Sequence, residues 1–86
     1  MMNIEMFEKM GAKRWQKNGM DRLYVNADMI QAICDKYNEG VIPMNRAARE
    51  CGKLWIDVET GEVGAKGLGV YQDDMVSWTT QFIDEM

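Results

Sequence analysis

The dipeptide Asn18-Gly19 constrains the fold most, because it stands between two runs typical of β-strands, residues 13–17 and 20–25. Both residues tolerate positive φ angles, which favours a two-residue type I′ turn between antiparallel strands. We therefore predict a β-hairpin over residues 13–25. Alternation along the two strands places six residues on one face: Lys13, Trp15, Lys17, Met20, Arg22 and Tyr24.

The rest of the chain combines helical patterns with one clear strand. Residues 53–58 alternate as a strand does, whereas residues 64–69 contain three glycines and predict a flexible loop. Helical periodicity and capping residues predict four helices, over residues 4–10, 27–37, 46–51 and 73–84. We expect one α+β domain over residues 1–86. In it, the hairpin 13–25 and the strand 53–58 form a small antiparallel sheet, with three to four helices mainly on one face.

The composition argues against catalysis and against metal binding. The chain contains no histidine, and therefore lacks the commonest general base and the commonest metal ligand. Its two cysteines cannot form a structural zinc site alone. The glycine-rich stretch 61–69 lacks the Gly-Lys-Ser/Thr ending of a phosphate-binding loop. We expect a non-enzymatic protein with no catalytic residues, no cofactor and no metal.

The first face of the predicted hairpin interleaves basic and aromatic residues: Lys13, Trp15, Lys17, Arg22 and Tyr24. Such a face can stack nucleobases and neutralise phosphates, so these five residues form a candidate nucleic-acid site. In the other interpretation Trp15 and Tyr24 belong to the core, with the lysine ammonium groups reaching out to water. A cation–π pair between Trp15 and Arg22 would stabilise the hairpin in either case.

Charge is distributed unevenly along the chain. Residues 1–53 hold nine Lys/Arg against seven Asp/Glu, whereas residues 54–86 hold one lysine against seven acids. The acidic third predicts either a solvated surface or a protein-binding surface that imitates a phosphate backbone. The candidate protein-binding residues are Asp57, Glu59, Glu62, Asp73 and Asp74.

Two further features bear on the compartment. No apolar run approaches the ~20 residues that span a bilayer, and the first residues lack the basic start of a signal peptide. In that context Cys34 and Cys51 are expected to be free, partly buried thiols. We expect a cytoplasmic protein that does not contact membranes.

Four segments resemble a type of small protein found in bacterial prophages and conjugative elements. They are Gly11-Ala12-Lys13-Arg14-Trp15, Asp21-Arg22-Leu23-Tyr24-Val25-Asn26-Ala27, Tyr37-Asn38-Glu39-Gly40 and Trp55-Ile56-Asp57-Val58-Glu59-Thr60-Gly61. The resemblance implies a mobile-element origin, but no established activity and no site residues. Small acidic proteins from such elements are often inhibitors of host defence, including anti-CRISPR proteins.

The function that we expect is therefore binding of another macromolecule. The first hypothesis is an anti-CRISPR-like inhibitor that binds a host protein, such as a nucleic-acid-binding protein, through the acidic surface. The alternative is a nucleic-acid-binding accessory protein that uses the hairpin face 13–24. A third is a homo-oligomer formed through the apolar stripe of the last helix, with Trp78, Phe82 and Ile83.

Overall fold

A four-stranded antiparallel sheet is the centre of the structure. The computed structural model describes residues 4–38 and 50–85. The strands are β1 (Lys13–Lys17), β2 (Met20–Tyr24), β3 (Lys53–Asp57) and β4 (Val63–Lys66). They lie side by side in the order β1-β2-β3-β4. The helices are α1 (Ile4–Lys9), α2 (Ala27–Tyr37) and α3 (Gln72–Asp84), with a 3₁₀ turn at Gly69–Tyr71. The predicted α+β class is confirmed.

The hairpin forms as its turn dipeptide predicts. Asn18 and Gly19 have φ angles of 54° and 79°, as a type I′ turn requires at both central positions. The register pairs Trp15 with Arg22 and Arg14 with Leu23, so the predicted alternation of faces is confirmed. Leu23 is fully buried, whereas every residue of β1 is exposed.

The core lies between the sheet and the helices. From the inner face of the sheet, Leu23, Leu54 and Ile56 are completely buried. They pack in one cluster with residues of all three helices, namely Phe7, Met29, Ile30, Ile33, Cys34 and Met75. Burying each large side chain contributes about 1.5–3 kcal/mol, so this interface is what holds the helices on one face of the sheet.

Asn26 joins the hairpin to α2. Its side-chain oxygen accepts a hydrogen bond from the Met29 N–H at 2.8 Å and caps the helix, as the sequence predicts. Its amide also contacts Gly11, where an added Cβ would collide with the Asn26 side chain and where φ is +101°. Glycine at position 11 therefore lets the start of the hairpin approach the start of α2.

Two sequence predictions are wrong in detail. Residues 64–66 are not part of a flexible loop, because β4 pairs with β3 through Leu54–Ala65 and Trp55–Gly64. Cys51 is exposed, whereas Cys34 is buried as a free thiol. The predicted helix 46–51 lies mostly outside the described residues. Among the residues described, no helix has the length and apolarity needed to cross a membrane.

Candidate functional site

The face of the sheet opposite the helices is the strongest candidate site. Its residues, here called the open face, alternate with the buried residues of the strands and none of them is buried. They are Lys13, Trp15, Lys17, Met20, Arg22, Tyr24, Lys53, Trp55, Asp57, Gly64 and Lys66. The interpretation that placed Trp15 and Tyr24 in the core is therefore wrong, since Trp15 is 43% exposed and Tyr24 is half-buried on this face.

Three aromatic rings form a row across three adjacent strands of the open face. The ring centroids of Trp15 and Tyr24 are 6.3 Å apart, and those of Tyr24 and Trp55 are 5.9 Å apart. The row exists because β2 pairs with β3 so that Tyr24 lies opposite Trp55. Edge-on and tilted contacts of this kind hold the rings in fixed relative positions.

Two cations lie against the ends of this aromatic row. The Lys17 ammonium is 5.9 Å from the Trp15 ring, and the Arg22 guanidinium carbon is 4.9 Å from the Trp55 ring. Arg22 also donates a hydrogen bond to the Tyr24 hydroxyl at 3.3 Å. The predicted Trp15–Arg22 pair is wrong, because Arg22 lies instead against Trp55, which the pairing of β2 with β3 brings to its other side.

The open face is strongly basic for an acidic protein. Five of the ten Lys/Arg of the chain lie on it, against one acid, Asp57. The Asp57 carboxylate accepts hydrogen bonds from the backbone N–H groups of Glu59 and Thr60, both at 3.0 Å. It thus stabilises the β3–β4 turn, and the surface is positive because five bases outnumber this one acid.

Lys53 and Lys66 face each other directly across β3 and β4. Both side chains are exposed on the open face. Like charges at opposed positions destabilise a sheet, and an anion bound between them removes that repulsion. This pair therefore favours an anionic ligand over a neutral one.

A cleft of about 730 Å³ adjoins the open face where the hairpin meets the start of α2. Lys13, Trp15, Tyr24 and Lys53 of the open face line one part of it. The other described residues that line it come from the inner side of the sheet, from α2 and from the connections: Gly11, Arg14, Val25, Asn26, Ala27, Ile30, Glu50 and Gly52. The cleft therefore combines an apolar floor with basic and aromatic walls.

The predicted acidic residues lie on two different elements. Asp57, Glu59 and Glu62 belong to β3 and the turn that follows it, whereas Asp73 and Asp74 lie in the first turn of α3. All but Asp57 are exposed. These four exposed carboxylates make no ion pair with the described part of the chain.

The remaining charged contacts lie off the open face. Arg14 forms a two-pronged ion pair with Asp21, at 2.8 and 3.0 Å, which lowers the pKa of the Asp21 carboxyl. At the other end of the molecule the Tyr37 hydroxyl donates to Glu85 at 2.7 Å, and Lys36 lies 3.2 Å from the same carboxylate. The Tyr37 hydrogen bond is the main reason why the pKa of Glu85 is lowered. Both contacts connect elements of the fold.

Trp55, Lys53 and Lys66 complete the site but were not among the predicted site residues. The alternation of residues 53–58 does place Trp55 opposite the buried face, which is the signal that could have found it. Within the described ranges, 4–38 and 50–85, no cluster of three metal-ligating side chains occurs.

Comparison with known proteins leaves the site to be interpreted from its own chemistry. No protein-family model matches the chain, and neither a curated protein nor a solved structure matches it.

Proposed function

We propose that this protein binds single-stranded nucleic acid through the open face of its sheet. Bases stack on Trp15, Tyr24 and Trp55, while the five basic side chains neutralise the phosphates. The observation that carries the proposal is the aromatic row on an unburied, basic sheet face. Stacking platforms surrounded by positive charge are the usual means of holding unpaired strands.

The ring spacing favours a single strand over a duplex. Successive bases of one strand in a duplex are about 3.4 Å apart and stack on each other. The rings of the open face are 5.9 and 6.3 Å apart. Only a strand whose bases are splayed apart can place neighbouring bases on neighbouring rings.

The charges exclude a cationic ligand for the same rings. Aromatic groups can also hold methylated ammonium groups. Here, however, the cations Lys17 and Arg22 lie beside the rings of Trp15 and Trp55. An incoming cation would meet like charges, whereas a polyanion would meet complementary ones. The whole chain has a net charge of −4 although the open face carries five bases and one acid, so binding depends on the local field and weakens with salt.

Fluorescence anisotropy at low salt tests the proposal with labelled DNA and RNA single strands and with the matching duplex. Tighter binding of single strands is expected, and the two single strands distinguish DNA from RNA. Trp15→Ala is expected to weaken binding about tenfold, because one stacked base contributes about 1–3 kcal/mol. Trp15→Phe retains a ring and serves as the matched control. Absence of binding by the unmutated, folded protein at low salt overturns the proposal.

A second proposal concerns the acidic residues. Glu59, Glu62, Asp73 and Asp74 are exposed and unpaired within the described chain, which supports a contact with a basic protein surface. Asp57 is less available, because its carboxylate is engaged in the turn. In this proposal the protein is an anti-CRISPR-like inhibitor of a host protein, a role that small acidic proteins of mobile elements often have.

The two proposals respond differently to the same variant. Neutralising Glu59, Glu62, Asp73 and Asp74 to the corresponding amides is expected to abolish a protein complex formed through this surface. The same variant binds nucleic acid as well as the unmutated protein or better, because it removes negative charge. A protein complex isolated with the unmutated chain and retained by this variant rules out the acidic surface as the contact.

A further inference from the structure

The cleft beside the aromatic row is large enough for one nucleotide. Its volume of about 730 Å³ lies within the range of sites for small ligands, about 300–1,000 Å³. Tyr24 and Trp15 line both the cleft and the row, so the two are continuous.

The lining of the cleft matches the two parts of a nucleotide. Val25, Ala27 and Ile30 provide an apolar floor for a base. Among the described lining residues, Lys13, Arg14 and Lys53 provide three positive charges, against one carboxylate from Glu50. Since Arg14 is already paired with Asp21, Lys13 and Lys53 are the cations available to a phosphate.

We infer that this cleft is a nucleotide pocket, which takes one nucleotide of the bound strand with its base on the apolar floor and its phosphate between Lys13 and Lys53. The inference rests on the proposed function and adds a site that the row alone does not provide. Stacking on an open sheet is tolerant of sequence. A base held in the cleft, in contrast, contacts specific groups, so the pocket gives the protein a preferred position on the strand.

Ala27 offers a substitution that fills the pocket and leaves the open face intact. It is half-buried at the start of α2 and lines the cleft. Ala32 is exposed on the same helix and does not line the cleft. Ala27→Phe and Ala32→Phe therefore add the same side chain to α2, inside and outside the pocket.

The test measures the affinity of a labelled single-stranded oligonucleotide for three proteins: unmutated, Ala27→Phe and Ala32→Phe. Ala27→Phe is expected to weaken binding about tenfold, and Ala32→Phe to leave it unchanged. Circular dichroism verifies that both variants are folded. Equal affinity of all three folded proteins overturns the pocket but leaves the proposed function standing. If the unmutated protein does not bind the oligonucleotide, the proposed function fails first.

A second measurement needs no variant. Adenosine 5′-monophosphate is titrated into the ¹⁵N-labelled protein, with adenosine as the control that lacks the phosphate. Shifts of the Gly11, Ala27 and Gly52 amide resonances, larger for the phosphorylated probe, support the pocket. Shifts confined to the strand residues around Trp55, away from the cleft, overturn it even if Ala27→Phe fails to fold.

Discussion

The indole ring of Trp55 lies across the backbone of Gly64, its cross-strand partner. A Cβ atom at position 64 would overlap the six-membered part of the ring and its N–H. Gly64 is therefore a positioning residue for the aromatic row, although its own φ is not in the left-handed region. The missing side chain lets the ring lie low over β4, with Arg22 against it.

Gly64→Ala is expected to displace Trp55 and to destabilise the fold by about 1–3 kcal/mol, as overpacking does. Chemical denaturation measures the free energy of unfolding, and anisotropy measures the loss of oligonucleotide binding. The control is the same substitution in a Trp55→Ala background, where the obstructing ring is gone. If Gly64→Ala lowers the free energy of unfolding equally in both backgrounds, the role of the Trp55 ring is contradicted, because a contact between the two residues must give a coupling energy.

Lys66 is expected to oppose stability and to support binding. Replacing it in Lys66→Gln removes the repulsion with Lys53, so the melting temperature rises, by an amount corresponding to about 0.2–1 kcal/mol. The same variant loses one phosphate contact, so the slope of log K against log salt falls in magnitude by about 0.7 for a single strand. Lys9→Gln, on α1, removes an equal charge away from the open face and should leave that slope unchanged. If Lys66→Gln lowers the melting temperature and leaves the slope unchanged, both expectations for Lys66 are contradicted.

The buried hydroxyl of Thr79 lowers the stability of the fold. Its side chain is fully buried on α3, and its hydroxyl has no hydrogen-bond partner among the described residues. Thr79→Val keeps the shape and removes the unsatisfied hydroxyl, so it should stabilise the protein by about 1 kcal/mol. Thr80→Val is the matched control, because the exposed Thr80 hydroxyl donates to the Val76 carbonyl at 2.9 Å. Thermal melts of both variants check the difference, and a destabilised Thr79→Val would indicate a partner for the hydroxyl.

Acid should loosen two contacts between elements. The pKa values of Asp21 and Glu85 are lowered from ordinary values of 3.8 and 4.5, by hydrogen bonds from Arg14 and Tyr37 respectively. A lowered pKa means that the stabilisation is present above the ordinary value and is lost as the pH falls through the folded-state value. Asp21 is half-buried and Glu85 is exposed, so both ion pairs are partly screened by water and the effect is a modest fall in melting temperature below about pH 5.

The variant Asp21→Asn/Glu85→Gln tests that assignment. At neutral pH it should melt at a lower temperature than the unmutated protein. Its melting temperature should fall less on acidification. Asp84→Asn is the control, since its carboxylate makes no ion pair within the described part of the chain. If the melting temperature of the double variant falls as steeply with pH as that of the unmutated protein, other carboxylates cause the acid sensitivity.

The local features of this fold follow from its sequence. The register of the hairpin depends only on the Asn18-Gly19 turn and a period of two, so it could be predicted residue by residue. The bounds of α2 depend on the Asn26 cap and a helical stripe, both of which are local. Half of the open face, from Lys13 to Tyr24, was therefore available from the sequence.

The other half of the open face depends on contacts between distant segments of the chain. Gly64 and Ala65 themselves are not typical of a strand, and β4 forms because Val63 and Ala65 pack on the core while Gly64 accommodates Trp55. Arg22 has an aromatic neighbour on either side, and only the pairing of β2 with β3 decides between them. The exposure of Trp15 likewise depends on which face the helices cover, which a hairpin pattern does not encode.

The strand order has a consequence for folding kinetics. β1 with β2, and β3 with β4, are hairpins closed by short turns, so each can form early and alone. Tyr24 and Trp55 meet only when the slower, long-range pairing of β2 with β3 joins the two halves. The aromatic row therefore exists only in the completed fold. If a nucleic-acid strand binds across the row as proposed, it contacts both hairpins, so the ligand should slow unfolding.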